Sequence, residues 1–131
     1  MYVFIGSSGN SSNRLRYPYG IACLSMLKTF YVSDTYNHRI LYFVVGNENG
    51  TVIAGGNGNG LNSNQLATPL DIQFDAPSNS ILIANCDGNS VIRWTLGASN
   101  WTLIADNSTG IGGCPRGVIM DPMGNIYIAD T

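Results

Sequence analysis

A chain of 131 residues is long enough for one domain with a real core and too short for two. Six Lys and Arg stand singly along it against eight Asp and Glu, for a net charge of −2, which opposes the clustered cations that nucleic-acid binding requires. No apolar run reaches the roughly 18 residues of a membrane span, and the abundance of Gly and Asn marks a turn-rich β composition.

The first run, Tyr2 to Ile5, reads as the last strand of a preceding unit, so that 1–14 supply that strand and its link. Four short apolar runs follow at about Gly20 to Leu24, Thr29 to Asp34, Arg39 to Val44 and Gly50 to Ala54, separated by turn residues as in an antiparallel meander. Four more fall at Leu70 to Phe74, Ser80 to Asn85, Ser90 to Leu96 and Trp101 to Ala105, and two at Pro115 to Met120 and Asn125 to Ala129. No segment carries a helical period.

These runs are a repeat. Shifting the chain by 51 residues lays "TVIAGG" from Thr51 on "TLIADN" from Thr102, and Pro18 on Pro69 (69 − 18 = 51). A third copy, "PRGVIMDPMGNIYIAD" from Pro115, parallels "PLDIQFDAPSNSILIAN" at an offset of 46 that becomes 45 after the turn. The units are therefore 15–66, 67–113 and 114–131, the last holding the first half of a repeat. In each, the second strand ("FYVS", "ILIA", "IYIA") is apolar at successive positions and needs cover on both faces. Four-stranded sheets stacked around an axis give that cover, so the predicted fold is all-β, a partial β-propeller of four-stranded antiparallel blades.

The stretches "DTYNHRI" at Asp34, "GGNGNG" with "NQL" and Pro69, and "DPMGNIYIADT" at Asp121 closely resemble NHL repeats over nearly the whole chain. The second copy departs, with "NCDGNSVI" in place of the Asp-Thr-x-Asn-His-Arg-Ile segment. Asp34, Asn37, Arg39, Asn85 and Asp130 of these motifs are expected to be structural: by residue chemistry alone, Asp34 and Thr35 can bond the amides of the following turn, Asn37 tolerates left-handed backbone and Arg39 opens the next strand. The resemblance also implies a closed ring of about six blades. The expectation is thus a fragment whose terminal faces are covered by remaining blades of the same protein, or, as the alternative, by self-association. Leaving roughly 400 Å² bare at each end costs about 10 kcal/mol, so the 131-residue chain alone is expected to oligomerise or pack loosely.

Little catalytic chemistry can be placed. The glycines of Ala54 to Leu66 precede no helix, lack the Lys-Ser/Thr of a phosphate loop and carry no carboxylate for calcium, so no cofactor or metal is expected there. His38 is the sole histidine, too few for the zinc sites of propeller enzymes; it reads as an exposed turn residue, and no catalytic residue is assigned. In a blade, the turn between the second and third strands and the link to the next blade share one face. Cys86 and Cys114 occupy those places in neighbouring blades and are candidates for a disulfide, with Cys23 expected in the core. Asn10, Asn49, Asn100 and Asn107 begin N-glycosylation sequons and lean the chain toward the secretory pathway.

The same loop-built face is the expected docking surface for a protein, glycan or small ligand, with Tyr17, Tyr19, Tyr36, Asn37, His38 and Arg116 as candidates. The favoured reading is a non-catalytic binding scaffold. The alternatives are part of a lyase or lactonase-like propeller enzyme with catalytic residues on other blades, and an RNA-binding NHL domain, which the near-neutral charge opposes.

Overall fold

The computed structural model describes residues 7–131; the strand expected at Tyr2 to Ile5 lies outside the described residues. Ten strands run β1 Ile21–Leu24, β2 Thr29–Asp34, β3 Arg39–Val44, β4 Thr51–Gly55, β5 Pro69–Asp75, β6 Ser80–Asn85, β7 Ser90–Thr95, β8 Thr102–Ala105, β9 Gly117–Met120 and β10 Ile126–Ala129. They form two four-stranded antiparallel meanders, β1-β2-β3-β4 and β5-β6-β7-β8, and a hairpin, β9-β10. Short 3-10 turns punctuate them.

The doubly apolar second strands sit where their sequence demands. Alternate side chains of a strand point to opposite faces, so Ile81 and Ile83 of β6 turn toward the first sheet, meeting Tyr31, Ile40 and Ala54 in a shared core. Leu82 and Ala84 turn the other way, onto Ile111 and Val118 ahead of the hairpin. The far side of the first sheet buries Val32, Leu41 and Phe43 under Leu15 and Phe30. The first strands β1, β5 and β9 lie side by side, the arrangement of inner strands around a common axis. Cys23, expected in the core, is exposed: it lies on β1, whose alternate residues Ile21 and Cys23 both face outward from the sheet stack.

Polar bonds lock neighbouring blades. The Ser33 hydroxyl accepts from the Gly20 amide at 2.7 Å and donates to the Leu70 carbonyl, while Thr35 donates to Pro69 O at 2.8 Å. At the next junction Asp71 accepts from Val118 N at 3.0 Å and Gln73 from Met120 N at 2.8 Å.

One contact recurs in all three units. The side chain ending each second strand accepts the backbone amide of a residue 18 positions earlier, in the link entering its own blade: Asp34 from Arg16 (2.6 Å), Asn85 from Ala67 (2.8 Å) and Asp130 from Gly112 (2.5 Å). This revises the expected role of Asp34, which bonds no backbone amide of the following turn and takes only the Asn37 side-chain amide there. The turn is tightened by the backbone instead, and the left-handed residue is His38 (φ 51°), one place after Asn37.

The charge on Asp34 is answered within the same blade. Its carboxylate is fully buried, and Arg39 Nε donates to it at 2.7 Å, as does Asn37 Nδ2 at 2.8 Å. Arg39 continues to the carbonyls of Ser11 and Arg14. In the second unit both members of the pair are neutral, Asn85 and Ser90, and both are buried. Charge meets charge in one repeat and neutral meets neutral in the next, as burial requires.

Removing only the cation therefore strands a buried carboxylate. Arg39→Ser is expected to cost about 3–5 kcal/mol, read from urea unfolding. The double change Asp34→Asn with Arg39→Ser, which copies the second repeat, should lose clearly less than the single change; equal losses would show that the ion pair is not what Arg39 supplies.

Candidate ligand-binding face

The end of the sheets that carries the β2–β3 and β6–β7 turns also carries the inter-blade links. Between the first two blades these segments enclose a recess of about 610 Å³, within the size range of ligand sites. Of the six residues expected on this face, Tyr17, Tyr19, Tyr36, His38 and Arg116 line it together, drawn from two links and a turn. Asn37 does not: its amide donates to Gly9 O and to Asp34.

Tyr17, Tyr19 and Tyr36 are 72, 60 and 53 % exposed, and the Tyr17 and Tyr36 rings lie 5.0 Å apart, tilted by 52°. Thr68 and Asp87, which the sequence reading passed over, complete the opposite wall. They are the 51-residue counterparts of Tyr17 and Tyr36, so the repeat itself held the signal. Where the first unit pairs two rings, the second pairs the Thr68 hydroxyl, as donor, with the Asp87 carboxylate.

His38 is half-buried rather than exposed, because its Nδ1 accepts the Thr68 backbone amide at 3.1 Å. Burial pushes the imidazole below its ordinary 6.5; Asp87 pulls it back up and Arg16 lowers it further. Its counterpart Asn89, with the amide nitrogen facing the carbonyls, donates to Gly113 O at 3.1 Å and Cys86 O at 3.2 Å. Each residue thus ties its turn to the following link.

Cys86 and Cys114 form a disulfide across the second junction. Cys86 stands in the place of Thr35, whose hydroxyl makes the corresponding bond to Pro69 O at the first junction. The covalent bond anchors the link immediately before Arg116, whose amide donates to Ala129 O at 2.8 Å.

The glycine-rich link is cross-braced by its own polar groups. Asn57 Nδ2 donates to Asn64 O at 2.8 Å, Gln65 Nε2 to Asn57 O at 3.0 Å, and Gly60 N to Leu66 O. Gly55 is required where it stands: its φ is +68°, and a Cβ would lie 2.4 Å from the His38 carbonyl. Among the described residues no group of three metal-ligating side chains forms, and no helix is long and apolar enough to cross a membrane. The sequon residues Asn10, Asn49, Asn100 and Asn107 are all exposed.

A second recess, of about 590 Å³, opens at the other end of the sheets near Gln73 and Met120. Two of its three charges are spent on one another. Arg93 donates to Asp75, Ser78 and Ser80, and the Ser78 hydroxyl, followed by Arg93, holds the Asp75 carboxyl below its usual range.

No family model matches the chain, and no curated protein does. Many solved structures resemble it in fold. A gluconolactonase from Xanthomonas campestris superposes with a TM-score of 0.68 at 16% identity, over 88% of this chain and 35% of that one. A luciferin-regenerating enzyme gives 0.61 at 13% identity, over 89% and 38%. The chain spans little more than a third of each. With the sheets described above, this likeness defines the class: an all-β partial propeller of four-stranded antiparallel blades.

Two outcomes test the face. Replacing Cys86 and Cys114 together by Ser opens a loop of 28 residues and should cost about 3–4 kcal/mol, measured by denaturant melts without reductant. For His38, whose folded-state pKa is depressed, the unfolded chain binds the proton more readily. Its contribution to stability is complete above pH 6.5 and fades as pH falls below it. His38→Asn should flatten the fall in stability below pH 6.5, read from melts at a series of pH values; an unchanged slope would assign it to another group.

Proposed function

We propose that the chain forms blades of an NHL-type propeller and that the recess between the first two binds a ligand. The NHL reading is supported by the roles of Asp34 and Arg39, motif residues buried as a pair that fixes the link and turn. The observation that carries the binding reading is the convergence of Tyr17, Tyr19, Tyr36, His38 and Arg116 on one concavity, with three tyrosine side chains left exposed. Rigid sheets present these loops, and aromatic and Arg side chains are effective contact anchors. The disulfide and the four exposed sequons support an oxidising, secretory compartment.

An enzymatic role for the whole propeller is the second reading. The two solved structures described above are enzymes, which favours it over a scaffold without chemistry. The catalytic groups would then come from blades other than these, with the recess contributing substrate contacts.

Ligand-observed NMR on the native protein, with a panel of saccharides, sugar lactones and short peptides, tests both. The expected result is at least one binder whose contacts map to Tyr17, Tyr36 and Arg116 and whose affinity drops about tenfold in Tyr36→Ala. Binders mapping only to the Gln73–Met120 recess would overturn the assignment. Turnover of a lactone above the buffer rate would decide for the enzyme.

A further inference from the structure

The unspent chemistry of this recess narrows its ligand, a step that rests on the binding-face reading above. Of the five arginines, Arg39 and Arg93 are ion-paired, with Asp34 and Asp75. Arg116, on the recess wall, has no carboxylate partner among the described residues; Arg16, close enough to His38 to lower its pKa, has none either. Asp87, also on the lining, accepts from Thr68 and forms no ion pair with Arg116. A chain of net charge −2 thus keeps an unpaired guanidinium at this one concavity.

Its neighbours carry a second requirement. The paired Tyr17 and Tyr36 rings make a tilted apolar platform, and among the described residues the three phenol hydroxyls and the second nitrogen of His38 have no protein partner. Ring faces pack the apolar side of a pyranose, hydroxyls exchange hydrogen bonds with its polar rim, and a guanidinium grips a carboxylate with two parallel bonds. A bare inorganic anion would use the cation and leave the platform idle. A neutral sugar would do the reverse.

We infer that the recess between the first two blades takes a carboxylated pyranose of an acidic glycan, its ring against Tyr17 and Tyr36 and its carboxylate on Arg116. The disulfide Cys86–Cys114 is then a positioning device, since it holds the link that carries Arg116.

Calorimetric titration of the native protein with a glucuronate-terminated tetrasaccharide, its methyl ester and a glutamate-rich peptide tests this. The acid should bind about tenfold or more tighter than the ester, with the difference shrinking as salt rises. Arg116→Gln should reduce the acid to the level of the ester and leave the ester unchanged, whereas Tyr36→Ala should weaken both. Both side chains are exposed, so melting temperatures should hold. Equal binding of acid and ester, or equal weakening of both by Arg116→Gln, overturns the inference. Binding of the peptide alone at Tyr36 and Arg116 overturns it while sparing the binding-face reading; silence of all three probes, together with a blank broader panel, removes both.

Discussion

Everything on the loop-bearing face depends on one hydrogen bond made three times: the side chain closing the second strand accepts a backbone amide from the link that enters its own blade. The bond joins the end of the second strand to a link that the following turn also grips, through Tyr36 N to Arg16 O in the first unit and Asp87 N to Ala67 O in the second. An acceptor fixed on β2 or β6 sets where the link passes, and at Ala67, where the bond is buried, it also satisfies an amide that water does not reach. Asp34, fully buried, would be a liability as a lone anion, and Arg39 answers it while reaching on to two further link carbonyls. Asn85 makes the same bond without a charge and needs no such partner.

With the links pinned, the positions around them become free to vary, and the repeat shows that variation directly. The positions of Tyr17 and Tyr36 hold a ring pair in the first unit and, as Thr68 and Asp87, a hydroxyl–carboxylate pair in the second. Thr35 and Cys86 occupy one position, and the junction they span is closed by a hydrogen bond in one case and a disulfide in the other. Backbone strain follows the repeat rather than the recess. The left-handed residues Tyr17 and Thr68 are counterparts, as are Lys28 and Asn79, and His38 and Asn89. Positive φ here is a demand of blade geometry and is no sign of chemistry by itself.

The same logic explains what could be read from residues alone. Strands with apolar side chains on successive positions, repeated at 51 residues, leave few ways to be buried, so the sheets and their stacking were legible from Phe30 to Ser33 and Ile81 to Ala84. The pairing of Cys86 with Cys114 followed from topology once the turns and links were assigned to one face. Less legible was anything that depends on a direction within a turn. Nothing in "DTYNHRI" says that the Asp34 side chain bonds backward to Arg16 rather than forward, or that His38 rather than Asn37 takes the left-handed φ. Cys23 shows a related limit: an alternating inner strand does not reveal from its own sequence which of its faces meets a neighbour.

The two recesses separate scaffold from function on energetic grounds. Near Gln73, Arg93 satisfies Asp75 and two serines, so a ligand arriving there would have to displace bonds already made. At the loop face the comparable groups, Arg116 and three tyrosines, are exposed and make no side-chain bond among the described residues, so they cost little to redirect. A fold that needs every buried polar group paired has paired those that carry its architecture, Asp34, Asn85, Ser33 and Thr35, with partners inside the blades. The side chains it leaves unpaired on a rigid concave surface are the ones whose bonds can be completed from outside.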